Sequence, residues 1–271
     1  MYIYLLLVNS INEFNEIIST AKRMVYNPVR MILNCLWIVI TFQENNWIEE
    51  RKKLAEQDLN KTNDEMPNEL IQGTAVTAQT CPPSLIVRSA LTLQFWIFYW
   101  KLEYRRLQLS KTLPSYLTDV NQTVPNSAKI IPVLTENINV FNNEHFNIET
   151  INLRSLIKQG RHLVVNFEAH ASDGWKFYDS RFSFIKNHRN IQDRLDAIKI
   201  LVEKANINTE NQISVYADTI DNHTNNLFRA WPEKLYVLHD EKIVYQGQNG
   251  PSGYSIPSLD YFLRKNVPVQ I

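Results

Sequence analysis

Apolar and polar positions along this chain fall into blocks. From Met24 to Phe42 the residues are mostly apolar, and Met31–Phe42 (MILNCLWIVITF) is an uncharged run of twelve. A bilayer span needs about 20 such residues, and lengthening the run to the nineteen from Met24 takes in Pro28 and Arg30. By pattern alone this is a buried or interfacial helix. Glu44 to Gln72 is rich in Glu, Lys, Asn and Asp, which predicts a solvated helix or linker. Pro82 and Pro83 stop any helix, and Leu85 to Trp100 is a second apolar stretch followed by Lys101 to Arg106. Arg88 and a length below that of a span predict an amphipathic helix resting on the domain or an interface, with Trp96, Tyr99 and Trp100 as anchors. Pro114 to Pro132 reads as loop.

Shorter periods begin near Ile130. Apolar residues at 148, 151, 153, 156 and 157 predict a short helix ended by Gly160. Leu163 to Phe167 (LVVNF) has the apolar, β-branched character of a central strand. From Asn190 to Ala205, Ile191, Leu195, Ile198, Leu201 and Val202 recur at spacings of three and four, an amphipathic helix. Ile213 to Ala217 is a second buried strand, and Asn222 to Trp231 a short helix. The chain closes with a strand at Leu235–Leu238, a two-residue turn at Asp240 and Glu241, a strand KIVYQ, turns at Gly247 and Gly250-Pro251, and a helix from about Ile256 to Lys265. A strand, strand, helix ending is that of the thioredoxin fold, in which Trp231-Pro232 is placed to be the cis bond before the first strand.

Charge narrows the partners. Lys and Arg total 28 and Asp and Glu total 28, so nothing electrostatic favours nucleic acid. Cys35 and Cys81 are the only cysteines. They form no CxxC pair, which argues against a disulfide scaffold, a zinc site or a dithiol redox motif. The apolar start MYIYLLLV lacks the basic flank and small-residue cleavage site of a secretory signal.

The densest polar constellation follows LVVNF at once: Glu168, His170, Ser172 and Asp173, then Gly174. Acid, imidazole and hydroxyl at the carboxyl end of a strand stand where open α/β sheets bind ligands. Equally, Ser172 and Asp173 have the chemistry to do no more than cap the next turn.

The string EAHASDGW, then NHRNIQDRL at Asn187–Leu195 and PEKLYVLHDEKIVYQGQNGPSGY at Pro232–Tyr254, resembles the iodothyronine deiodinases in order and spacing. The aromatic-basic stretch Gln94 to Arg106 and the segment before LVVNF also resemble that family. One departure stands out. In the family the strand like LVVNF runs into a loop bearing a selenocysteine nucleophile, then a helix and a second parallel strand, and only then the acidic loop. Here Phe167 joins Glu168 directly, although a parallel crossover takes about a dozen residues or more.

The resemblance implies an α/β class with a thioredoxin-like domain at 130–271, incomplete by one central strand and helix, behind a 44–129 linker with its aromatic helix and a 1–43 hydrophobic region. It implies an iodothyronine deiodinase-like oxidoreductase, inactive as written because the nucleophile is absent; the alternative is a catalytically dead thioredoxin-like binding protein or partner subunit. Glu168, His170 and His188 match its catalytic acid and imidazoles, His188 either staying neutral or binding a phenolate. Ser172 and Asn249 match substrate-binding positions, Asn249 replacing a basic family residue. No cofactor is expected beyond a thiol reductant as co-substrate. The partners implied are an iodothyronine, a membrane and a second copy as a homodimer. A single-pass N-terminal anchor places the protein at the endoplasmic reticulum or plasma membrane; Lys22, Arg23 and Arg30 before it and Arg51, Lys52 and Lys53 after it leave its orientation open.

Overall fold

Strand β5, the Glu233–His239 segment EKLYVLH, is covered on both faces, and the C-terminal part of the molecule is built outward from it. The structure, a computed structural model, describes residues 19, 22–60, 65–112, 118–133, 149–168, 188–204, 214–231, 233–250 and 252–267. Helices and antiparallel sheets are mixed, so the class is α/β.

A π-helical turn at Lys22–Tyr26 leads into α1 (Asn27–Ile40). Pro28 sits in its first turn, where no amide donor is needed. At about 1.5 Å per residue, the 14 residues of α1 fall short of the ~30 Å hydrocarbon layer. Among the described residues no single helix is long and apolar enough to cross a membrane; Met24–Ile40 and Glu44–Leu59 pass together as a pair bent by 114°.

The polar block divides into α2 (Glu44–Leu59) and α3 (Glu69–Thr80). Asn68 caps α3, its side chain accepting from the amides of Leu70 and Ile71. Solvation was the expectation for Glu44 to Gln72, but Asp58, Glu69 and Gln72 are buried. The reason is a polar seam: Asp58 accepts from Gln72 Nε2 at 2.9 Å and from the Asn68 amide at 2.7 Å. The expected helix Leu85 to Trp100 is two helices, α4 (Pro83–Ala90) and α5 (Leu93–Thr112). Thr92 makes the break, donating to Ser89 O and accepting from the Phe95 amide.

Strand β1 (Lys129–Pro132) lies between β2 (Ile151–Asn152) and β4 (Tyr216–Asp218), antiparallel to both. The helix expected at 148–157 is instead β2 followed by one 3-10 turn, Leu153–Leu156. Ile151 pairs with Ile130 and the Asn152 side chain caps the turn through the Arg154 amide, so backbone pairing prevails over a weak apolar period. Helix α6 (Ile191–Lys204) packs Leu195 on Ile131, Val133 and Ala217.

The second sheet has the order β3-β5-β6, with β3 at His162–Glu168 and β6 at Lys242–Gln246. Both pairings are antiparallel, so the expected hairpin Leu235 to Gln246 lies beside the Leu163 strand. Its turn residues Asp240 and Glu241 have φ of 45° and 64°, the two left-handed residues of a tight hairpin turn. One face of β5 presents Tyr236 and Leu238 to a core with Phe228, Ile243, Val124 and Ala128. The other presents Leu235 and Val237 to Tyr245 and to Leu259 of α8 (Ile256–Asn266). Helix α7 (His223–Phe228) supplies Phe228, which is fully buried.

Helix α3 docks on this sheet. Glu69 accepts from Tyr245 Oη at 2.6 Å and from the Gln248 amide at 3.0 Å, both across more than 170 residues of chain. A Cβ on Gly73 would lie 2.3 Å from Ser252 O, so only glycine allows this approach. Ser258 Oγ completes the seam by donating to Pro67 O at 2.8 Å.

Candidate functional site

Antiparallel geometry brings three chain segments to one edge of the second sheet. The carboxyl end of β3, the amino end of β5 and the carboxyl end of β6 coincide there, since Glu168 pairs with Glu233 and Tyr236 with Gln246. The acidic segment that begins at Glu168 leaves from this edge. His170 and Ser172, with Asp173, lie outside the described residues, as does Pro232 and therefore the Trp231-Pro232 bond. Glu168 is described as the last residue of β3.

Asn249 stands in the loop after β6. Its Nδ2 donates to Arg229 O at 2.8 Å and to Trp231 O at 2.9 Å, which ties this loop to the segment entering β5. Gly250 closes the same corner: its amide donates to Glu233 O at 3.0 Å, and a Cβ there would lie 2.3 Å from the Glu233 side chain.

His188 belongs to a different cluster, between α6 and α7. Arg194 Nε donates to His188 Nδ1 at 3.4 Å, while its Nη1 donates to Asp218 O and Thr219 O and its Nη2 to Asn222 Oδ1. The guanidinium thus fixes the imidazole to the end of β4. Asp218 in turn accepts from the amides of Thr224 and Asn225 and holds the first turn of α7. Helix α7 spans the interval between the two clusters, with Asp218 and Asn222 before it and Arg229 just after it.

Lys234 escaped the sequence reading. It is 6% exposed, stands directly opposite Phe167, and puts Nζ 5.3 Å from the centroid of the Tyr236 ring. Burial, with Arg229 nearby, outweighs the pull of Asp119 and Glu69 and lowers its amine from 10.5 to about 8. The signal lay in the alternation of EKLYVLH, which puts residue 234 on the same face as Tyr236 and Leu238. Around it, Phe167 contacts Phe228 and Tyr236 at ring separations of 5.0 and 5.9 Å. Tyr236 Oη donates to Phe228 O, and burial raises its phenol to about 12.

Neither cysteine lies in these elements. Cys35 is buried in α1, where burial raises its thiol, and Cys81 follows α3. Among the described residues no group of three or more His, Cys, Asp or Glu could hold a metal ion.

Known proteins match the region that carries both clusters. Residues 148–267 match the family described as iodothyronine deiodinase. The chain is 41% identical over 101 residues to a thyroxine 5-deiodinase of Gallus gallus, 40% over 98 residues to that of Sparus aurata, and 36% over 98 residues to that of Homo sapiens. These alignments cover 37%, 36% and 36% of this chain and 37%, 34% and 30% of the relatives, so the chain spans about a third of the length of the curated relatives it matches. Over residues 148–267, the chain is similar to the iodothyronine deiodinase family.

Proposed function

We infer that this chain is an iodothyronine deiodinase-like oxidoreductase built on a thioredoxin-like domain, and that as written it does not turn over. Similarity to that family over residues 148–267 supports the reaction class. The observation that carries the second part is the β3–β5 ladder, which runs without interruption through Phe167↔Lys234 and Glu168↔Glu233. The two residues that flank the nucleophile segment in the family are consecutive here, inside one strand.

Reductive deiodination replaces a ring C–I bond by C–H. A selenolate takes the iodine as a selenenyl iodide while the ring carbon gains a proton; two thiols then return the selenolate, release iodide and leave as a disulfide. Glu168 and His170 serve the proton, His188 holds the phenol oxygen, and Ser172 and Asn249 border the amino acid end. Without a nucleophile these groups retain binding but not turnover, a loss on the order of a millionfold where measured in hydrolases.

Iodide release from labelled thyroxine with excess thiol tests this. The chain with the missing segment restored between Phe167 and Glu168 is expected to be active, the chain as written inactive, and the restored chain carrying His170→Ala impaired. Equal activity in the first two would overturn the reading and point to Cys81.

A catalytically dead binding protein is the second reading, favoured by the outer side of β3. Among the described residues no strand pairs there, and Val164 is 42% exposed. Such an edge accepts a further strand, and this reading requires thyroxine binding or subunit pairing without turnover even in the restored chain.

The N-terminal region acts as a membrane tether in this reading. On α1 and just after it Leu33, Trp37 and Ile40 are exposed and Phe42 is 93% exposed. Carbonate extraction checks the tether: the folded chain stays with membranes, and recovery in the soluble fraction rejects it.

A further inference from the structure

The sheet edge holds a cation whose charge the described residues do not neutralise. Lys234 is more than nine-tenths buried, yet among the described residues its Nζ makes neither a hydrogen bond nor an ion pair, only the contact with the Tyr236 ring. A buried ammonium is costly unless an anion meets it. Among the described residues, each nearby acid is engaged elsewhere or forms no ion pair with it. Glu233, next in sequence, points to the opposite face of β5, against Gly250. Glu69 spends its two oxygens on Tyr245 and Gln248. Asp119 is exposed and acts on the amine only through its field, with no ion pair to it among the described residues. Arg229 adds a second positive charge at the same edge.

Apolar surface surrounds this cation on its sheet face. Phe167 is half-buried opposite it, with Phe228 and Tyr236 behind. A cation with an aromatic floor suits a ligand that carries an anionic oxygen on an aromatic body. We propose that the Lys234 ammonium is the seat for the carboxylate of an aromatic acid bound at the β3–β5 edge. The proposal rests on the reading that this edge binds ligand, and extends it to a buried residue of β5. With Asn249 committed to the carbonyls of Arg229 and Trp231, Lys234 supplies the charge that the loop after β6 does not.

The full chain, with lysine labelled at Cε, tests the assignment by NMR. Free, Lys234 titrates near 8. Saturating thyroxine or 3-phenylpropionate is expected to move that midpoint upward by one pH unit or more, because the bound carboxylate favours the charged amine, while thyroxine amide and 3-phenylpropionamide leave it in place. Binding measurements on the same ligands are expected to show about a tenfold preference for acid over amide, lost in Lys234→Met and partly kept in Lys234→Arg. A Lys234→Met protein that melts cooperatively and still prefers the acid overturns the assignment. So does a midpoint that neither acid moves. If 3-phenylpropionate shifts Lys234 and thyroxine does not bind, the carboxylate seat stands and the iodothyronine reading fails.

Discussion

Phe167 and Lys234 face each other across the β3–β5 ladder, one pair before the strand's last, Glu168 and Glu233. This cross-strand pair places a buried amine beneath the point where the acidic segment leaves the sheet. It also sets a pH dependence. Lowering the amine from 10.5 to about 8 corresponds to roughly 3 kcal/mol between its two protonation states. Between those values the unfolded chain holds a proton that the folded one has released, so stability rises with pH across this window. The thermal midpoint of the wild type should therefore gain, from pH 7.5 to 10, relative to Lys234→Met. A pH-independent difference between the two proteins would show that the amine is not held down by burial.

The docking of α3 gives a second prediction. Tyr245→Phe removes one of two donors to the buried Glu69 carboxylate, which should cost about 1–3 kcal/mol. Chemical denaturation measures it, and a loss below a few tenths would mean that Glu69 is solvated.

Gly73→Ala tests the same seam sterically. The new Cβ meets the backbone carbonyl of Ser252, which cannot turn aside as a side chain would, so α3 must shift. Overpacking of this kind costs about 1–3 kcal/mol. Combined with Tyr245→Phe it should be less than additive, since both substitutions loosen one interface.

His162 and His239 stack across the same ladder, with ring centroids 4.0 Å apart. Asp240 lies 3.3 Å from His239 Nε2, and Arg161 O lies 3.3 Å from its Nδ1. Burial and the neighbouring His239 lower the His162 imidazole below its usual 6.5, against the pull of Asp240. The folded state then binds its proton less readily than the unfolded chain, and stability falls as pH drops below 6.5. The thermal midpoint should decline from pH 7 to 5, and by less in His162→Phe.

Core truncation at the junction of the two sheets should be severe. Phe228 is fully buried against Phe167 and Tyr236, and Phe228→Ala should cost about 3–5 kcal/mol. A smaller loss in urea would mean that α7 does not seal this core.

The local elements were written in the sequence where one period dominated. The amphipathic spacing of Ile191 to Val202 appears as α6, the KIVYQ strand as β6, and the Asp240-Glu241 turn as a two-residue hairpin. The order of motifs from Glu168 to Tyr254 was also enough to indicate the deiodinase family, because it depends on residue identity and spacing alone. What the sequence could not determine depends on contacts distant in the chain. Glu69 and Gln72 look like solvent-facing residues until Tyr245, Gln248 and Asp58 take up their polar atoms. Asn249 lies far along the chain from Arg229, yet the return of β6 beside β5 joins them. Lys234 reads as an ordinary charged residue in a strand, and it became a buried cation only when Phe167 paired opposite it and both faces of β5 were covered. Burial and charge balance arise from pairs across the sheet, and no local pattern contains them.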